Sequence, residues 1–247
     1  MRILLVSDLH YNLPQLDWVV GAGPEFDLVV VAGDSLNIAS PVPLDAQSVV
    51  ILQYLGMLDG ATTVAVSSGN HDLTGPDAAG EQSALWLAEA QAAGIPTDGD
   101  SLLVGDTLVT VCPWWDGPKT REVVGRQLAE DAPLVGDRLW IWVYHAPPDE
   151  SPTSWTGKRH YGDTDLVAWI EEHRPGIVLS GHVHQAPWAS EGGWSDRIGS
   201  TLVLNAGRQG GQVPTRIEID TDAGTAQWFS AEGVDDRTFA AVSDPTV

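Results

Sequence analysis

Short apolar runs of strand length recur along this chain, and each ends abruptly in an aspartate, asparagine or histidine. Residues 2–7 end in Asp8-Leu9-His10, residues 27–32 in Gly33-Asp34, and residues 62–66 lead into Ser67-Ser68-Gly69-Asn70-His71-Asp72. Residues 139–144 end at His145, and residues 177–179 lead into Ser180-Gly181-His182-Val183-His184. Runs of four to eight apolar residues suit strands buried on both faces, and such strands belong to parallel sheets covered by helices. Open α/β sheets gather ligands along the carboxyl edge of their strands, so residues far apart in sequence meet there.

Between these runs the pattern is helical. Pro14 opens a helix with Leu16, Val19 and Val20 inward, stopped by Gly21 and Gly23. Asp45 is expected to cap a helix to about Asp59, with Val49, Leu52, Leu55, Met57 and Leu58 as its apolar positions. Residues 81–93 and 121–131 read as further helices, and Asp163 caps one ending at His173 before Pro175. Residues 102–104 and 107–111 form a hairpin across Gly105-Asp106. Residues 201–204, 215–219 and 226–229 are short runs read as antiparallel strands. The predicted architecture is α/β, two sheets packed together with helices on the outer faces. A domain over residues 1–232 and a polar C-terminal tail over 233–247 are expected.

Composition narrows the function. A net charge of −22 over 247 residues leaves a strongly acidic surface, which repels nucleic-acid backbone and anionic membrane. Polymeric nucleic acid and membrane are therefore not expected partners. Adaptation to a salty interior accounts for the acidity better than any cationic partner does. No stretch is apolar for long enough to span a bilayer. The first residues reach Asp8 too early for a signal peptide, so a soluble, cytoplasmic protein is expected. Cys112 is the single cysteine, which excludes an internal disulfide and a thiolate metal cluster.

Five of the seven histidines fall at the strand ends. Carboxylate, amide oxygen and imidazole without sulfur suit Mn, Fe or Zn better than copper(I), and calcium would take fewer nitrogens. Asp8, His10, Asp34, Asn70, His145, His182 and His184 are too many ligands for one tetrahedral ion, which points to two divalent metal ions sharing a carboxylate.

The order Asp-x-His, Gly-Asp, Gly-Asn-His-Asp, His, Gly-His-x-His resembles the calcineurin-like metallophosphoesterase superfamily, across Asp8 to His184. The resemblance implies a four-layer α/β/β/α sandwich of two mixed sheets, with a dinuclear metal site at the C-terminal ends of the strands. It also implies that Asp8, His10 and His184 bind one ion and Asn70, His145 and His182 the other, with Asp34 bridging. His71 matches the substrate-facing histidine and, with Asp34, makes up the implied catalytic pair. The implied reaction is in-line attack of a bridging hydroxide on a small phosphodiester or phosphomonoester, with His71 assisting at the phosphate or leaving group.

One departure stands out: many members read Gly-Asp-x-x-Asp, and here Asn37 holds the last position. An asparagine there accepts a hydrogen bond but supports an imidazolium less strongly. The sequence resembles the small bacterial branch that includes class III cyclic-nucleotide phosphodiesterases. Nucleotides and nucleotide-sugars, through phosphatase or pyrophosphohydrolase chemistry, are alternative substrates, and a metal-binding interaction scaffold is an alternative function. The presence of His71 and all seven ligand-type residues favours an enzyme.

Weaker signals surround this set. Arg208, in the turn after residues 201–204, is a candidate phosphate contact; a structural role for this glycine-rich turn is the alternative. Trp114, Trp115 and Trp155 are candidate stacking partners for a base, although most of the 11 tryptophans must serve packing. The loop 146–162 carries Trp155, Lys158, Arg159, His160 and Tyr161 and is a candidate substrate loop; a merely structural loop is the alternative.

Overall fold

Strands β1 (Arg2–Val6), β2 (Leu28–Ala32) and β3 (Thr63–Ser67) run parallel at the start of the chain in the computed structural model, which describes residues 1–239. Helices α1 (Leu13–Ala22) and α2 (Leu44–Asp59) connect them. A short ribbon of β4 (Gly75–Pro76) and β5 (Gln82–Ser83) precedes α3 (Leu87–Ala92) and the hairpin of β6 (Ser101–Val104) and β7 (Thr107–Val111). Then come α4 (Pro118–Val135), β8 (Leu139–Val143), α5 (Thr164–His173), β9 (Ile177–Ser180), β10 (Ser195–Ile198) and β11 (Thr201–Asn205). Strands β12 (Arg216–Asp220), β13 (Thr225–Ser230) and β14 (Gly233–Thr238) complete the set.

Two six-stranded mixed sheets result, in the orders β14-β13-β12-β1-β2-β3 and β10-β11-β9-β8-β7-β6. Alternate residues of one strand serve different layers, because side chains in a strand point to opposite faces. Ile3, Leu5, Leu28 and Val30 meet Val109, Val111, Ile141, Val143 and Leu179 between the sheets. Leu4, Val6, Val29, Val31, Val64 and Val66 face outward onto Leu16 and Val19 of α1 and Ile51, Leu55 and Leu58 of α2. Trp140, Trp142, Val178 and Val203 face Val124 and Leu128 of α4 and Leu166 and Ile170 of α5. Both faces of each central strand are thus buried, which explains the unbroken apolar runs. The layers are helix, sheet, sheet, helix, as the motifs implied. Truncating one of these side chains, Leu55→Ala for instance, costs about 2–5 kcal/mol in transfer and cavity terms.

Several boundaries differ from the sequence reading. The segment 201–204 lies in β11, which pairs antiparallel to the edge strand β10, as expected, but parallel to β9 on its other side. The connection from β9 is long enough for a crossover, and an apolar pattern carries no information on direction. Helix α2 starts at Leu44, so Asp45 sits in its first turn rather than capping it; Val49 and Met57 are exposed, and Ile51 takes the inward place. The helix expected over 81–93 is confined to Leu87–Ala92. Glu81 instead accepts hydrogen bonds from the Lys119 and Thr120 amides, closing the start of α4. Polar edge strand β10 has no counterpart in the sequence reading. Nor has β14, which takes residues 233–238 of the expected tail into the sheet; residues 240–247 lie outside the described residues. No helix among the described residues is long and apolar enough to cross a membrane.

Candidate metal centre

The loops that follow β1, β2, β3, β8 and β9 converge at one rim of the paired sheets. Their backbones are tied together first. The amide of Asp8 donates to the Gly33 carbonyl at 3.0 Å, and that of His10 to the Asp34 carbonyl at 2.9 Å. Buried Asp72 accepts from the amides of Leu36 (2.9 Å), Ser35 (3.3 Å) and Gly69 (2.8 Å), joining the loops after β2 and β3. In the sequence Asp72 reads only as the end of its motif. Two of the amides it braces belong to a different loop, 36 and 37 positions away, so no local signal announces the role.

Four ligand-type residues adopt left-handed backbone: Asp8 (φ 55°), His10 (φ 46°), Asp34 (φ 55°) and His182 (φ 66°). Each costs on the order of 1 kcal/mol, and such strain concentrates where surrounding structure over-determines a functional geometry. His182 is therefore not in extended backbone, and the rings of His182 and His184 reach the site by a kinked turn. The Val183 amide closes that turn on the Gly181 carbonyl at 2.7 Å, while the His182 amide donates to the Asp8 carboxylate at 3.0 Å. The close approaches here leave no room for side chains: a Cβ on Gly181 would stand 2.4 Å from Asp8 Oδ2, and one on Gly69 would stand 2.2 Å from Asp34 Oδ1.

Asp8, His10, Asp34 and His184 bring one ligand atom each within 4.8 Å of one another, and Asp34, His145 and His182 do the same. Asp34 belongs to both groups. Its Oδ2 lies 3.7 Å from His10 Nε2 and 3.4 Å from His145 Nε2. His184 Nε2 lies 3.1 Å from Asp8 Oδ1 and 3.1 Å from His10 Nε2. The far ring nitrogens are occupied by backbone: His145 Nδ1 is 2.7 Å from the Ala32 carbonyl and His10 Nδ1 is 3.3 Å from the Leu36 carbonyl. A ring N–H donating there leaves Nε2 as a lone pair aimed into the cluster, the arrangement common to metal-binding histidines.

The electrostatics fit a cation. Burial pushes the Asp8 and Asp34 carboxyls up, but His184 beside the first and His145 beside the second hold both below the usual carboxylate range. Burial works against charge on His145, yet Asp34 and Asp8 outweigh it and carry it up to about 10; the carboxylates thus favour a positive charge at Nε2, which a bound cation would supply in place of the proton. Burial pulls His10 and His182 down to about 4, leaving them neutral and able to donate lone pairs. Asn70 Oδ1 and His145 Nε2 are buried without a hydrogen-bond partner among the described residues. Unpaired buried polar atoms cost roughly 1–3 kcal/mol each, which a coordinated ion would offset.

His71 lies at the edge of this set. Its amide donates to Asp34 Oδ1 at 2.8 Å, its ring is 4.5 Å from that of His10, and its Nδ1 is buried without a partner among the described residues. Asn37 does not reach it. The Asn37 side chain accepts from the Ala39 amide at 2.9 Å, so the hydrogen bond expected at His71 is absent. Arg208 is exposed, and its Nε donates to the Asp8 carbonyl at 3.1 Å, which seats the guanidinium at the rim.

The tryptophans divide. Trp114 packs its ring 5.1 Å from that of His182 and 5.7 Å from that of His145. Trp115 is held by Tyr144 and Asp163, each 2.8 Å from its Nε1. Trp155 pairs with His160 inside the loop 146–162. Within that loop Tyr161 stacks on His182 at 5.0 Å, while Lys158 and Arg159 are exposed.

A family model described as calcineurin-like phosphoesterase matches residues 1–186. No curated protein sequence matches the chain. Among solved structures it is similar to TT1561 of Thermus thermophilus, with a TM-score of 0.60 and 18% identity over 96% of this chain and 98% of that one. It is similar to a dimetal phosphatase from Danio rerio, with a TM-score of 0.61 and 12% identity over 98% and 99% of the two chains. Purple acid phosphatase PPD1 from yellow lupin seeds aligns with a TM-score of 0.57 and 14% identity, over 100% of this chain and 52% of that one. At these identities the likeness is one of fold.

Proposed function

The chain belongs to the calcineurin-like phosphoesterase family, and from that premise we propose that it hydrolyses a small phosphodiester or phosphomonoester with two divalent cations. The observation that carries this reading is the pair of ligand groups sharing Asp34. Asp8, His10 and His184 would hold one ion, Asn70, His145 and His182 the other, and Asp34 both. The nitrogen and oxygen donors suit Mn, Fe or Zn. Cations held there would supply a water of lowered pKa and screen the charge developing on the phosphoryl oxygens.

The remaining steps fall to the chain's own residues. Asp8 and Asp34 fix the imidazoles and the turn at residues 182–184, so the phosphate meets a rigid rim. Arg208 stands where its guanidinium can take a phosphate oxygen, by a paired N–H geometry. His71 faces the substrate beside His10 and donates a hydrogen bond to the phosphate or the leaving oxygen. With Asn37 turned to Ala39, the Asn37 side chain lends His71 no support as an imidazolium. Among esters bound equally well, those whose leaving group needs no proton should accordingly turn over faster. The names of two fold relatives, a dimetal phosphatase and a purple acid phosphatase, accord with this reading. The acidic surface accords with small substrates rather than polymeric nucleic acid.

The test is turnover of aryl and alkyl mono- and diesters by chelator-stripped protein reloaded with Mn, Fe or Zn. Metal-dependent hydrolysis, steeper in leaving-group pKa than an enzyme with a strong general acid would give, is expected. No hydrolysis of any ester with metals bound would overturn the reading.

A further inference from the structure

Beside His145 and His182 opens a cleft of about 390 Å³ whose walls the phosphate chemistry does not use. Trp114, Trp115, Tyr144 and Tyr161 line it together with Asp116 and Asp163, and no lysine or arginine does. Two of its walls begin at the ligand cluster itself, since Trp114 and Tyr161 both pack on the His182 ring. The other two are held in place: Asp163 accepts from Trp115 Nε1 at 2.8 Å and from the Tyr144 hydroxyl, while its second oxygen caps α5 through the Asp165 amide at 2.8 Å. Rings fixed before binding lose little freedom when a ligand arrives.

Four aromatic residues with two carboxylates form the surroundings that favour a cation, because ring faces and carboxylates are both negative. The Tyr161 ring already attracts one of the chain's own, the Arg159 guanidinium 5.4 Å from its centroid. Hydrogen bonds from Trp115 and Tyr144 to a carboxylate increase electron density on their rings and strengthen the preference. A second phosphate or a sugar acid placed here would meet Asp116 and Asp163 with no basic residue in the lining. We propose that the cleft takes the alcohol part of the substrate, and that this part carries an ammonium group joined by a short alkyl spacer to the phosphate. The inference rests on the hydrolase reading and names its substrate class, an amino-alcohol phosphoester. In the reaction the phosphorus–oxygen bond to the amino-alcohol breaks, a bond from phosphorus to the water oxygen forms, and the water's proton ends on the leaving alcohol oxygen.

Binding and turnover test it separately. Tryptophan fluorescence of the purified protein is titrated with choline and with its uncharged carbon isostere 3,3-dimethylbutanol, at constant ionic strength. Choline should bind at least about 5-fold more tightly, within the range that cation–π contacts supply. Trp114→Ala and Tyr161→Ala should each remove most of that preference. With metals loaded, kcat/KM for phosphocholine should exceed that for 3,3-dimethylbutyl phosphate by a similar factor. Equal binding of the two alcohols, or a higher kcat/KM for a nucleoside monophosphate than for phosphocholine, overturns the proposal. Turnover of p-nitrophenyl phosphate and of bis(p-nitrophenyl) phosphate is run alongside: no hydrolysis of any of these esters with metals bound sinks the hydrolase reading, and the choline titration still decides the cleft.

Discussion

Replacing Asp34 by asparagine should cost the protein both metal ions, and the size of the loss follows from where its carboxylate lies. Oδ2 stands within 3.7 Å of His10 Nε2 and 3.4 Å of His145 Nε2, so one group serves both ligand sets. Asparagine keeps the shape and can still accept the His71 amide bond now made at 2.8 Å. What disappears is one negative charge. A unit charge pair 4 Å apart is worth about 4 kcal/mol at an effective dielectric of about 20, and a divalent ion about twice that. If only a quarter of the larger figure is realised, the loss is about 2 kcal/mol, roughly 30-fold in each dissociation constant. His184→Ala is the comparison: His184 is a half-buried ligand-type residue present in one group alone. Elemental analysis after gel filtration, at a metal concentration near the wild-type dissociation constant, reads the outcome. The expected order is wild type, then His184→Ala with one ion weakened, then Asp34→Asn with both weakened, circular dichroism being unchanged throughout. Retention of both ions by Asp34→Asn, or a loss no greater than that of His184→Ala, would refute a bridging role.

Three further outcomes follow from the same geometry. Gly69→Ala should fold yet lose metal and at least about 100-fold in turnover, since its Cβ would stand 2.2 Å from Asp34 Oδ1 and 2.7 Å from His145 Nε2; the check is metal content beside kcat. Divalent metal at about 100 times its dissociation constant should stabilise the fold by about 2.7 kcal/mol per site, raising Tm by roughly 5–11 °C, and a chelator should reverse this in a thermal scan. Cys112 should resist a thiol reagent at pH 8 until the chain unfolds, because burial pushes its thiol well above the usual range and only the thiolate reacts; modification of native protein at the rate of a free thiol would contradict this.

The fold was legible where both faces of a strand are apolar. Val29, Val30 and Val31 read as one buried run because neighbouring residues serve different layers, the helix side and the sheet interface. Legibility failed at the edges. In β10 and β14 the strand is held by backbone hydrogen bonds to one neighbour, and its side chains are mixed or polar, so no period stands out. Direction was legible only in part: β11 runs against β10 as expected but with β9, and only the long crossover decides the second pairing. The helix expected over 81–93 shows a third kind of failure. Its alanine content favours helix, but the Glu81 carboxylate is engaged by the start of α4, and the chain pairs as a ribbon before turning helical.

The candidate site divides along the same line, between what the chain determines locally and what distant neighbours determine. Each ligand-type residue follows a strand end, and the strands that carry them share a direction within each sheet, so their meeting is a consequence of topology that the motif order encodes. Asn37 shows where that logic stops. Its place in the motif suggests a hydrogen bond to His71 in the next loop. The side chain instead bonds the amide of Ala39, two residues away, the local turn that asparagine forms readily. Without that partner His71 Nδ1 stays buried and unpaired among the described residues, and the ring is free to choose its tautomer according to what the substrate offers. The seven ligand-type residues keep the family's motif order while Asn37 departs from it, and substrate preference is where that departure should be read.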